Sequence, residues 1–303
     1  QESYAYTYAL GGMQIINHPG QYWSLDNTYR ETQKNGPGWH ATNFETFPSL
    51  VGLEVYNQGN RRANDRILWD QILQRTMPAR NVFGYSGDDT HNNEQLFRNY
   101  NFMLMEDLTT EELKDAMRKG ESYFCYEPKG SGEGKAPRIT AINVNEKSKT
   151  ITIEANGLVH WIYATDKTSN AASSARSTIV GIGNTFCYDG YQGSYVRAYI
   201  TNMFGETCTQ PISFIDVQST NLEELAVEPL ALMLYPNPAS AYLNIFMPKA
   251  QVGELVKVYD LHGNVVMRHT IEGAVTTLPV ETLSAGMYIV QVGTHVGKFF
   301  KDL

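Results

Sequence analysis

The chain has 303 residues, 42% of them hydrophobic and 18% charged. That is the composition of a globular protein longer than the ~250–300 residues at which one core stops growing, so several domains are expected. The formal net charge is −8, and the one basic stretch, RRANDR at 61–66, is diluted by acid. Phosphate-backbone binding needs clustered Lys and Arg, which argues against a nucleic-acid partner. No apolar run approaches the ~20 residues of a membrane-spanning helix.

The chain opens on Gln1 without a basic-plus-apolar leader, which reads as a processed or incomplete N-terminus. Residues 1–127 then alternate strand and helix signals. Short apolar strands at Met13–Ile16, Leu53–Tyr56 and Val82–Tyr85 belong to the segments MQIINHPG (13–20), GLEVYN (52–57) and VFGYSGDDTH (82–91). Each ends in side chains able to bind a metal. Between the second and third strands, Ile67, Leu68, Ile72 and Leu73 recur at helical spacing and predict a helix over 61–75. A further helix is predicted over 109–119, with Thr109 and Glu112 as a capping box and Gly120 as its stop. Strand–helix alternation implies βα units and parallel pairing, in which strand C-termini converge on one mouth. His18, Glu54, Asp89 and His91 are therefore the candidate functional residues.

A Gly- and Lys-bearing stretch, PKGSGEGKA at 128–136, predicts a linker and domain boundary. Beyond it, ITAINVN, KTITIEAN, LVHWIYAT and SYVRAYITN alternate with period two, which predicts an Ig-like β-sandwich over 137–215. Trp161 and Tyr163 share one strand face and read as sandwich core. Cys187 and Cys208 lie in neighbouring predicted strands; they either pair or remain buried thiols, and no C-x-x-C motif exists. A second linker is expected at 216–233, and a third, all-β unit at 234–303. That unit is small enough to be only marginally stable alone.

The third unit carries YPNPAS (235–240), VKVYDLHGNVV (256–266), LSAGMYIVQV (283–292) and KFFK (298–301). In this order the motifs resemble the C-terminal sorting domain of the type IX secretion system of Bacteroidetes. The resemblance implies the type IX secretion machinery as partner, export across the outer membrane, and release or attachment at the cell surface. The linker before it fits a segment open to proteolysis.

Residues from about Gly11 to Tyr126 carry IINHPG, GLEVYN, WDQIL, GDDTH and LTTEELKDAMRKGESYF in one order. They resemble the polymerase-and-histidinol-phosphatase (PHP) family of metal-dependent phosphoesterases, whose fold is a distorted α/β barrel with metals at its mouth. Carried over position by position, the resemblance implies His18, Asp89 and His91 as metal ligands, with Glu54 beside the site. Asp88 would orient a ligand from behind. An extended Asp-x-His points both side chains one way. Imidazole and carboxylate together suit Zn²⁺, Mn²⁺ or Fe²⁺, which would activate water against a phosphoester. As sequence alone, His-Pro is also a turn, and Asp89 or Thr90 a helix cap. His40 reads as a loop histidine, and His160, His262, His269 and His295 as core or surface residues. Tyr22 and Trp23 either line a substrate pocket or pack the loop.

The family's early ligand motifs, including His-x-His, are absent from the sequence. A complete barrel takes about 200–250 residues or more, and only residues 1–127 precede the first linker. The expected architecture is thus multidomain α/β plus all-β: a partial, truncated PHP-type barrel, an Ig-like sandwich and a sorting domain. An open half-barrel would expose a strand edge and an apolar face. The two explanations are a truncated piece of a secreted phosphoesterase, inactive or weak alone, and a decayed barrel serving as a surface scaffold or binding protein.

Overall fold

The computed structural model describes residues 2–23, 34–130, 134–165, 177–213, 232–247 and 251–302. Among them, no helix is long and apolar enough to cross a membrane. The chain forms two compact units: Met13–Asp216, and Val217–Leu303 together with Gln1–Gly12, which contains helix α1 (Glu2–Ala9).

The Met13–Asp216 unit begins with three parallel strands, β1 (Gln14–Ile16), β2 (Leu50–Asn57) and β3 (Phe83–Gly87), in the order β1-β2-β3. They are joined by α2 (Pro37–Thr46) and α3 (Ala63–Thr76). As the spacing predicts, Ile67, Leu68, Ile72 and Leu73 of α3 are buried. Central strand β2 is buried along its length except for the half-buried Glu54. Next come β4 (Asn99–Met103), α4 (Thr110–Lys119) and β5 (Ser122–Tyr126). The Thr109 hydroxyl accepts from Glu112 N at 3.2 Å, the forward half of the predicted box, while Thr109 N donates to Asp107 O instead of the Glu112 side chain; Gly120 ends α4 with φ 70°, as predicted. His40 does not lie in a loop. It is 2% exposed within α2, and burial pushes its pKa down to about 4, so it packs as a neutral ring edge-on to Trp39.

The strands that follow are β6 (Ile139–Asn145), β7 (Thr150–Ala155), β8 (Leu158–Thr165), β9 (Ser177–Ile182), β10 (Thr185–Cys187), β11 (Arg197–Thr201) and β12 (Glu206–Thr209). They build two facing antiparallel sheets, β10-β7-β6 and β4-β5-β12-β11-β8-β9. Ile151, Ile153, Val159, Trp161, Phe186, Ala198 and Ile200 fill the space between them. The sandwich is as predicted, and Trp161 is core, but its boundary is not where composition placed it. Strand β5, before the 128–136 stretch, pairs with β12 after it, in the register Tyr126↔Glu206 to Tyr123↔Thr209. One sheet therefore runs across the expected linker. Cys187 is exposed on β10 and Cys208 buried on β12, in different sheets, and all three cysteines are free thiols. Burial pushes the Cys125 and Cys208 thiols up to about 12 and about 11, which makes them unreactive.

Alternation along β11 sends Ala198 and Ile200 into the sandwich and Arg197 to the opposite face, against α3. There Arg197 Nε and Nη2 donate to Asp70 Oδ1 and Oδ2 at 3.0 and 2.9 Å, and Tyr195 Oη donates to Asp70 Oδ1 at 3.0 Å. The guanidinium also lies 5.0 Å above the Trp69 ring. This pair is fully enclosed, with side chains 2% and 0% exposed.

The outer edge of β3 is not left open, as a half-barrel would leave it. Side-chain amides occupy it. Gln210 accepts from Gly84 N at 2.8 Å and donates to Gly84 O at 2.9 Å. Two residues on, Asn101 accepts from Ser86 N at 2.9 Å and donates to Ser86 O at 2.8 Å. Residues i and i+2 carry the outward backbone groups of an edge strand, so two amide side chains do the work of a pairing strand.

In the C-terminal unit, β13 (Met233–Tyr235), β14 (Tyr242–Phe246) and β17 (Val275–Pro279) form one sheet. Strands β15 (Leu255–Tyr259), β16 (Val265–Thr270), β18 (Gly286–Val292) and β19 (His295–Lys301) form the other. Leu243, Ile245, Leu278, Val256, Val258, Val290 and Phe299 meet between them. The motifs have plain structural uses. Asn237 of YPNPAS accepts from Phe300 N at 2.9 Å and donates to Lys298 O at 3.2 Å, tying the motif to β19. Asp260 of DLHGN accepts from the amides of His262 and Asn264, each at 2.9 Å, and fixes the β15–β16 turn.

Arg197→Leu is expected to destabilise the Met13–Asp216 unit by about 3–5 kcal/mol, because it strands the Asp70 carboxylate in an apolar interface. The Asp70→Leu/Arg197→Leu double variant recovers most of that loss in urea denaturation. Equal losses in the single and double variants would refute the coupling.

Candidate functional site

Because β1, β2 and β3 are parallel, their C-terminal ends open on one mouth, and each is followed by a non-glycine residue in the left-handed region. These are His18 (φ 33°) after β1, Gln58 (φ 47°) after β2 and Asp89 (φ 44°) after β3. Such backbone strain persists only where the surroundings hold it, and it concentrates at functional sites.

Glu54 joins the three ends. Its Oε2 accepts from His18 N at 2.8 Å and from Asn57 Nδ2 at 2.9 Å. On the other side it lies against Gly87, where a β-carbon would overlap Oε1. Burial raises the Glu54 pKa, opposed by the His18 and Asn57 hydrogen bonds, while the Asp89 charge adds to the rise. Glu54 is thus the centre of the cluster rather than a neighbour of it.

The His18 imidazole sits above, its Nδ1 buried and without a partner among the described residues. The Tyr22 ring lies 6.1 Å away and is exposed, whereas Trp23 is buried, its carbonyl accepting from Asn64 Nδ2 at 3.2 Å. Tyr22 therefore borders the mouth and Trp23 packs the loop. A second carboxylate, Asp65, supports the same loop from the first turn of α3, accepting from Gly20 N at 2.5 Å. Its Oδ2 is buried and has no partner among the described residues, and burial pushes its pKa up to about 7. Sequence reading missed Asp65, since an acid in a first helical turn is ordinary dipole chemistry.

Asp89 and His91 are brought to the mouth but not as an extended pair. The left-handed turn at Asp89 rotates the segment, and His91 Nδ1 instead meets the Asp89 carbonyl at 2.6 Å. The Asp89 carboxylate is 4.0 Å from that ring nitrogen. Gln58 Nε2 lies 3.3 Å from both His91 Nδ1 and Asp89 O. The helix that follows is capped by Asn92, not by Asp89 or Thr90. Asp88 does not stand behind a ligand. Its oxygens accept from Phe97 N (2.7 Å), Arg98 N (2.9 Å) and Asn99 N (2.7 Å), which is a loop anchor. His160 lies in β8, and His262, His269 and His295 lie in the β15–β16 turn, β16 and β19 of the C-terminal unit.

The donor types that the strand ends carry, imidazole and carboxylate, are of the kind that hold Zn²⁺, Mn²⁺ or Fe²⁺. The geometry of the mouth is open. Among the described residues, no three His, Cys, Asp or Glu side chains stand close enough together to hold an ion. The residues present do not form a finished metal site.

Residues 233–303 match the family described as the secretion system C-terminal sorting domain. The protein is exported, to the cell surface or beyond it. The partner this implies is the type IX secretion machinery. No curated protein matches the chain. Among solved structures, PorZ, an essential bacterial surface component of the type-IX secretion system of Porphyromonas gingivalis, aligns at 14% identity over 59% of this chain and 24% of its own, with a TM-score of 0.21. Dimeric latent PorU of the same organism aligns at 13% identity over 59% and 23%, TM-score 0.19. The BSP domain of a biofilm associated protein aligns at 15% identity over 55% and 28%, TM-score 0.17. The chain spans less than a third of each of these structures. Superpositions this partial leave the chemistry of the mouth to its own residues.

Asp65 has a pH consequence. Its folded pKa, about 7, lies above the ordinary value of 3.8, so the folded state holds the proton more tightly. Stability from this group is full below about pH 4 and falls as pH rises towards 7. Asp65→Asn keeps an acceptor for Gly20 N and is expected to gain stability over the parent steadily between pH 4 and pH 7.5 in denaturant titrations. A constant difference across that range would refute the assignment.

Proposed function

We propose that the exported protein is a surface-directed phosphoester hydrolase of the PHP type, and that Met13–Asp216 carries the closing part of its catalytic mouth. The observation that supports this is the delivery of His18, Glu54, Asp89 and His91 to one end of three parallel strands, each end held in strained backbone. In this reading His18, Asp89 and His91 contribute to a divalent-metal site (Zn²⁺, Mn²⁺ or Fe²⁺), and Glu54 orients the His18 loop beneath it. A metal held there would activate water and neutralise phosphate oxygens. The donors within this chain are too few for that, so the chain alone is inactive or weak. The substrate class is a phosphorylated small molecule or other phosphoester.

A second reading, a non-catalytic surface scaffold or binding protein on a degenerate barrel, is favoured by the employment of the carboxylates. Glu54 and Asp88 are already engaged by backbone amides and Asn57.

Two measurements separate the readings. Calorimetric titration of the chain with Zn²⁺ or Mn²⁺ is expected to show binding that weakens about tenfold or more in His18→Ala. Hydrolysis of p-nitrophenyl phosphate with either metal is expected to stay near the blank. Metal affinity indifferent to His18→Ala would favour the scaffold. Robust turnover lost in His18→Ala would contradict the incompleteness of the mouth.

A further inference from the structure

The six-stranded sheet faces only three strands, and the mismatch leaves its β4–β5 end partly uncovered. Ile139, at the start of β6, reaches Tyr123 and Phe102, and a cavity of about 250 Å³ opens over β4. Phe97, Tyr100, Phe102 and Arg138 are among its lining residues.

Three features of this cavity exceed what packing requires. Phe97 is 58% exposed and has φ 65°, a backbone conformation bulky side chains rarely adopt. The Asp88 carboxylate enforces it by gripping the amides of residues 97, 98 and 99. An exposed aromatic held in a strained conformation is poorly explained by stability alone. The second feature is a fixed aromatic wall. Phe102 is stacked on Tyr123 at 4.7 Å and meets the Tyr100 ring edge-on at 5.6 Å. The third is Arg138, whose guanidinium rests 4.9 Å from the Phe102 centroid. None of the described residues accepts a hydrogen bond from its side chain, so its fork of donors is positioned but unused. Asp88 and Asn99, which also line the cavity, have their polar atoms bonded to backbone and to Ser86. Recognition therefore falls to the rings and to Arg138.

We propose that this cavity binds a small aromatic anion, its ring against Phe97 and Phe102 and its carboxylate or phosphate held by the Arg138 fork. A planar, stacked guanidinium is suited to either anion. The inference stands apart from the metal reading, since none of its residues is a metal donor.

The test uses the whole chain without added metal. Benzoate and phenyl phosphate are titrated by calorimetry or ligand-observed NMR, with benzyl alcohol as the neutral probe. Arg138→Gln is expected to weaken both anions by about tenfold or more while leaving benzyl alcohol unchanged. Phe97→Gly is expected to weaken every probe and yet raise the melting temperature, because glycine adopts φ 65° without strain. That combination separates a binding wall from a structural residue. Saturation by phenyl phosphate alone, or by benzoate alone, supports the site and identifies its anion. The proposal is overturned by the absence of saturable binding of both anions, by affinity unchanged in Arg138→Gln, or by a Phe97→Gly variant that melts lower or binds as the parent does.

Discussion

The enclosed Asp70–Arg197 pair decides how the exported unit is put together. Two charges taken out of water cost several kcal/mol each, and only close, doubly bonded geometry offsets that. Here the geometry is bidentate, Tyr195 satisfies a third bond to the carboxylate, and the Trp69 face covers the guanidinium. A pair so demanding of position fixes α3 in one register on β11. The consequence reaches the mouth. Asp65 lies five residues before Asp70 on the same helix, and from there it holds the Gly20 amide. The helix locked to the sandwich at one point supports the His18 loop at the other.

The same economy closes the parallel sheet. An unpaired strand edge invites pairing with another chain. Gln210 and Asn101 occupy the β3 edge with side-chain amides, and both come from the sheet to which Arg197 belongs or from its immediate continuation. The α/β segment and the sandwich are therefore not neighbours joined by a linker. Each supplies what the other lacks: a cover for the second face of the six-stranded sheet, and a cap for the last parallel strand.

These dependencies explain which features could be read from the sequence. Local signals were sufficient where local chemistry sets the structure: the apolar spacing of 61–75, the Thr109 cap, the Gly120 stop, and the turns after β1 and β3 that carry His18 and Asp89; Glu54 was read as a strand end but lies inside β2. The Asn237 and Asp260 motifs of the sorting domain are equally local. What composition misplaced is long-range. The stretch at 128–136 looks like a boundary because it is rich in Gly and Lys, but β5 and β12 pair across about 80 residues. In SYVRAYITN the period-two alternation marks a strand, but nothing local shows that Tyr195 and Arg197 are fully buried, because the cover over them is α3, more than 100 residues earlier. The orientation of His91 failed for a smaller reason: a positive φ at Asp89 is not legible in an Asp-Asp-Thr-His string.

If the buried pair and the shared sheet make Met13–Asp216 a single cooperative body, the sandwich cannot stand without the segment before it. The direct measurement is equilibrium unfolding of residues 13–216 beside residues 137–215, followed by circular dichroism and tryptophan fluorescence. Residues 13–216 should unfold in one transition with both signals coincident, and residues 137–215 should show no cooperative transition. A cooperative melt of 137–215 alone, near the midpoint of the longer piece, would contradict the account.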